Sequence, residues 1–156
     1  MSNKANEISK AVSNLDLTDC RIELSLAIGW KRIPASEVTL GSIGYWPDGY
    51  WEKGNERLAA MFCPVHASID SIQALVPEGF VVKILHGSQI GSKTVLCTAW
   101  LPTLDCKTVA YEQNNLYSEG ETEILARARI TLACIRLSKI INNELVGDNN
   151  VSAQTN

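Results

Sequence analysis

Long apolar runs are missing from this 156-residue chain: none reaches the roughly 18 residues that a membrane-spanning helix needs, so no membrane association is expected. A basic excess is missing too. The 14 Lys and Arg stand against 17 Asp and Glu, a net charge of −3, which disfavours non-specific nucleic-acid binding. The five cysteines include no Cys-x-x-Cys pair, and their odd, scattered placement fits reduced and mostly buried thiols. The first residues, MSNKANEISKAVSN, are polar and carry no apolar h-region, so a cytoplasmic location is expected rather than secretion. Phosphate-binding and hydrolase signatures are also lacking. No G-x-x-x-x-G-K-[ST], G-x-G-x-x-G or G-x-S-x-G occurs.

What is present describes one ordinary domain, 46% hydrophobic and long enough to bury a single core. Residues 1–14 read as a flexible arm, with Ile8 and Val12 leaving room for a short helix. A first helix is expected over 19–28, capped by Thr18 or Asp19 and stopped by Gly29 in a left-handed conformation. Between 31 and 62 the pattern is irregular, and Pro47-Asp48-Gly49 predicts a turn flanked by aromatic residues, consistent with a short hairpin. Ser68 opens a second helix, SIDSIQALV, that Pro77 ends. FVVKILH (80–86) and KTVLCTAWL (93–101) read as strands, with TVAYE (108–112) as a weaker third. A long helix follows, with Ser118-Glu119-Gly120-Glu121 at its start, and its wide apolar stripe makes it the central packing element. The tail 146–156 is polar and expected to be disordered. The domain thus spans 15–145, an α+β layered helix–sheet sandwich with a mostly antiparallel sheet of about three to five strands and a long C-terminal helix.

Four segments in order resemble the phage ABA-sandwich domain family of small phage-encoded proteins. They are IELSLAIGW, the aromatic insert leading to CPVHASIDSIQAL, the strand VLCTAW, and the closing ILARARITLACIRL. The resemblance covers roughly residues 18–138. It implies a helix–sheet–helix architecture, viral origin and a host bacterial cytoplasm, and it implies no settled activity.

Catalysis has little to stand on. Cys63 and His66 are the one close Cys–His pair, and a dyad needs a third group to orient its base. Cys63, His66, Cys97 and Cys106 lack the paired spacing of a zinc site, so no metal, no cofactor and no enzymatic activity are expected. The aromatic residues are more informative. The stretch GYWPDGYW (44–51) gathers two of four Trp and two of four Tyr beside Lys31, Arg32, Lys53 and Arg57. Rings stack on bases while guanidinium and ammonium groups meet phosphates, and the same rings can instead cap a core. In a strand, Tyr50 and Trp51 face opposite ways, so one of each aromatic pair is expected inward and its neighbour outward. The candidate ligand-binding set is Trp30, Lys31, Arg32, Tyr45, Trp46, Tyr50, Trp51, Arg57 and His66. Two functions stay open: a non-enzymatic protein that captures a small nucleotide-like ligand, such as a signal of bacterial immunity, or a protein–protein adaptor or inhibitor of a host protein. Arg129 and Arg136, seven residues apart on the last helix, suggest a self-association seam, so a homo-oligomer is expected.

Overall fold

The structure, a computed structural model, describes residues 4–37, 46–87, 93–102 and 115–154. Among the described residues four α-helices, α1 (Lys4–Ser13), α2 (Leu17–Ala27), α3 (Ile69–Gln73) and α4 (Glu123–Gln154), accompany six strands. The strands β1 (Lys31–Ile33), β2 (Tyr50–Lys53) and β3 (Glu56–Ala59) form one antiparallel sheet in the order β1-β2-β3. A second antiparallel sheet has the order β4-β5-β6, from Val81–Leu85, Val95–Trp100 and Leu116–Gly120. The fold is therefore α+β with a long C-terminal helix, and its strands divide into two small sheets.

The core is organised around α4, whose Ala126, Ala128, Ile130 to Ile135 and Leu137 are all buried. A helix apolar around so much of its circumference must be covered on several sides. The inward residues of β5 and β6 (Val95, Cys97, Ala99; Leu116, Ser118, Gly120) provide one cover, and α1, α2 and α3 pack against it elsewhere. Close approach explains the small residues on β6. Ser118 donates to the Ala126 carbonyl at 2.7 Å, and a Cβ on Gly120 would come within 2.7 Å of Ala126 N.

Several sequence readings need correction. Residues 4–13, expected as a flexible arm, form α1 and seat Ala5, Ile8 and Val12 in the core at helical spacing. Ser9, also buried, accepts a hydrogen bond from the Tyr117 backbone N–H at 3.1 Å, so α1 closes the outer edge of β6. Helix α2 begins two residues earlier than expected because Asp16, not Thr18 or Asp19, is its N-cap and accepts from Asp19 N at 2.7 Å. Its end is as expected. Gly29 has φ +101°, Gly29 N–H donates to Leu26 O and Trp30 N–H to Ser25 O, the double bond pattern of a Schellman stop.

Ser118 to Gly120 are not the start of the last helix. They belong to β6, where Leu116, Ser118 and Gly120 alternate inward with Tyr117 and Glu119 outward. The weaker strand TVAYE lies outside the described residues. Helical backbone also runs to Gln154, across most of the tail expected to be disordered, since no proline interrupts that stretch.

The hairpin is displaced as well. Its two-residue loop is Gly54-Asn55, between paired Lys53 and Glu56, and Gly54 takes φ +58° while Asn55 does not turn positive. Positive φ at the first loop residue alone is the II′ pattern, whose twist suits a tight hairpin. Pro47-Asp48-Gly49 is still a turn, with Gly49 N–H donating to Trp46 O at 3.2 Å, but it leads the chain into β2.

Candidate functional site

The small sheet is where the aromatic stretch becomes geometry. Antiparallel register sets Lys31, Glu52 and Arg57 side by side across the three strands, and Ile33, Tyr50 and Ala59 in the next row but one on the same face. The Trp46–Gly49 turn folds Trp46 back over this face, with its ring centroid 5.3 Å from that of Tyr50 at a 48° tilt. On the Tyr50 ring also lies the Arg57 guanidinium, 5.1 Å from the centroid. Its Nη2 is 3.4 Å from Glu52 Oε1, a long contact between partly exposed groups. Trp46, Glu52, Gly54, Asn55 and Arg57 together line an open concavity of about 390 Å³. The three strands carry four cations (Lys31, Arg32, Lys53, Arg57) and two carboxylates (Glu52, Glu56), a local positive excess on an acidic chain.

The expected division of Tyr50 and Trp51 into one core and one surface ring does not hold. They do face opposite ways, yet both are buried, at 8% and 1% exposure. Both faces of the sheet are covered: Tyr50 by Trp46 and Arg57, and Trp51 in part by Arg32, whose guanidinium lies 5.4 Å above its ring. The Trp51 indole N–H is buried and finds no hydrogen-bond partner among the described residues. Trp51 thus anchors the sheet and cannot offer its ring to a ligand while the sheet is closed.

The other candidates fall in different places. Lys31 and Arg32 are exposed on β1, and Trp30 is half-buried just ahead of it. His66 is exposed before α3 and does not line this concavity, and Tyr45 lies outside the described residues. The half-buried Cys63 has its Sγ 3.4 Å from Ser25 Oγ. Burial pushes the other described thiols up, Cys20 and Cys97 to about 11 and Cys134 to about 12, so these sulfurs stay protonated and poor as nucleophiles or ligands. No group of three or more His, Cys, Asp or Glu suited to a metal occurs among the described residues.

A second concavity escaped the sequence reading. About 480 Å³ opens between α3, β4 and α4, walled by Val76, Phe80, Val82 and Ile84, with Gln73 and Arg127 also lining it. Its residues are separated by up to 58 positions, so no local pattern could mark it. The polar groups here satisfy one another. Arg127 Nε donates to Glu123 Oε1 at 2.7 Å and Nη1 to Gln73 Oε1 at 3.0 Å, while Glu123 Oε2 lies 3.7 Å from His86 Nε2. That linked chain ties α3 and the residue that follows β4 to α4, which makes a structural role sufficient. The small-sheet face differs in combining a ring, a guanidinium and a carboxylate around one open hollow.

The arginines that suggested a self-association seam are engaged within the chain. Arg129 donates through Nε and Nη2 to Leu15 O and through Nη1 to Glu119 O, and Arg136 Nη2 lies 3.4 Å from Glu23 Oε2. No helix among the described residues is long and apolar enough to cross a membrane.

Comparison with family models, with curated proteins and with solved structures found no match. The likeness to phage ABA-sandwich proteins therefore rests on the sequence segments alone.

Proposed function

We propose that the protein is a non-enzymatic binder of a small nucleotide-like ligand, held at the small-sheet face. One observation carries this reading: Trp46 and Arg57 share one hollow, with Lys31 in register beside Glu52 on the same face. An indole supplies a stacking surface for any base, and Arg57 and Lys31 supply counter-charges for a phosphate. Binding without bond-making suits a chain whose sequence offers no catalytic signature. The resemblance to small phage proteins gives such capture a use, the removal of a nucleotide signal of bacterial immunity inside the host.

The test is thermal denaturation against a panel of linear and cyclic nucleotides. A ligand at 100 times its Kd should stabilise the fold by about 2.7 kcal/mol, and Trp46→Ala, which lowers the unliganded melting temperature by uncovering Tyr50, should abolish the ligand-dependent shift. The adaptor reading draws on Met61 and Phe62, which are 75% and 60% exposed beyond the end of β3. If no nucleotide shifts the melting temperature and host lysate yields a stoichiometric protein partner, that second reading replaces the first.

A further inference from the structure

Resting on the nucleotide reading, we infer that the face selects a guanine base, with Glu52 as its specificity-determining residue. Glu52 lines the same hollow as Trp46, so a base held there against the indole shares the concavity with this carboxylate. One oxygen, Oε1, makes only the long 3.4 Å contact with Arg57 Nη2, and Oε2 has no hydrogen bond to the described residues. The side chain is 31% exposed and is therefore both held by the sheet and open to a ligand.

An ionised carboxylate accepts hydrogen bonds and donates none. Its two oxygens match an edge that presents two adjacent donors. Guanine does so, through N1–H and the 2-amino group. Adenine pairs its amino donor with the N1 acceptor, cytosine pairs its amino donor with N3, and uracil flanks one N–H with two carbonyls. Each of those edges sets a lone pair against the carboxylate. The opposite sign is supplied nearby. Lys31 and Arg57 are the cross-strand partners of Glu52 on either side, and their long side chains supply the counter-charge for the phosphate. The ligand class is thus a guanine nucleotide, and the same face would discriminate against adenine.

Isothermal titration with GMP, IMP and AMP tests this on wild type, Glu52→Gln and Trp46→Ala. Inosine keeps N1–H and lacks the 2-amino group, so IMP should bind about 10-fold or more weaker than GMP, the worth of one hydrogen bond to a charged group. AMP should be weaker again. Glu52→Gln replaces one acceptor by a donor and should lower GMP affinity by about 10- to 100-fold while raising that of AMP, whose amino donor and N1 acceptor match a carboxamide. Trp46→Ala should weaken all three nucleotides together. Equal binding of GMP and AMP by the wild type, or a guanine preference that survives in Glu52→Gln, would overturn the inference and leave the nucleotide reading standing. Absence of binding by these three and by the whole panel of linear and cyclic nucleotides would remove both. Unchanged far-ultraviolet circular dichroism and melting temperature establish that Glu52→Gln is folded, as expected for a partly exposed side chain.

Discussion

Gly49 is the position at which the aromatic face can be broken by adding one methyl group. It sits at φ +83°, where an L-residue costs roughly 1–2 kcal/mol. A Cβ there would also lie 2.1 Å from the Ile33 carbonyl oxygen and 3.0 Å from Ala35 N and Pro34 C. All three are backbone atoms, so no side chain can swing aside, and relief requires β1 to separate from β2. Overpacking of this kind adds about 1–3 kcal/mol, for a total of roughly 2–5 kcal/mol for Gly49→Ala. Gly54→Ala is the matched control: φ is +58°, yet nothing lies within 4 Å of its Cβ, so only the conformational part of about 1–2 kcal/mol should appear. Tyr50 and Trp51 stand apart from the main cluster of buried side chains, so the damage should stay local. Acrylamide quenching and the indole N–H resonances of Trp46 and Trp51 should report exposure in Gly49→Ala, with helical circular dichroism retained. Gly54→Ala should resemble wild type in both. If Gly49→Ala keeps Trp51 protected and melts with Gly54→Ala, the tight approach of this turn to the end of β1 is wrong.

Two further perturbations probe the main domain. Arg129→Met removes three charged hydrogen bonds at 2.6 to 2.9 Å that fasten the α1–α2 linker and β6 to α4, and urea titration should show a loss of about 2–4 kcal/mol, with Arg129→Lys recovering little because an ammonium lacks the fork. Alkaline pH should weaken the fold through its thiols: burial raises Cys134 from 9.0 to about 12, so the unfolded chain loses this proton first and stability falls as pH climbs from about 9 toward 12. The stability difference between wild type and Cys134→Ala should therefore shrink by roughly 2 kcal/mol between about pH 8 and about pH 10.5, and a constant difference would refute the assignment.

Much of the framework could be read from local chemistry. Gly29 stopped α2 and Ser68 capped α3 because each signal acts within a few residues, and the β-branched runs at 81–85 and 95–100 gave their strands. The errors share a cause in that burial is decided at long range. Helix α1 has an apolar stripe, Ala5, Ile8 and Val12, too thin to stand out until α4 and β6 supply the surface it covers. LYSEG alternates as a strand should, but its glutamate and glycine beside a helical run looked like a helix start. At the site, alternation correctly put Tyr50 and Trp51 on opposite faces. It could not say that Trp46 and Arg57 would cover one ring and Arg32 lie over the other. Gly54-Asn55 was legible as a hairpin loop, and the richer Pro-Asp-Gly signal drew the reading away from it.

The contact between Ser9 and the Tyr117 amide has a bearing on how this protein behaves at high concentration. An outermost strand is ordinarily a template on which a foreign strand can crystallise, molecule after molecule. On β6 an amide N–H is already engaged by a hydroxyl of the same chain, and a newcomer would have to evict a helix whose Ala5, Ile8 and Val12 are set in the core. Ten residues that looked expendable in the sequence thus act as a chaperone built into the chain, guarding one flank of the sheet against runaway polymerisation.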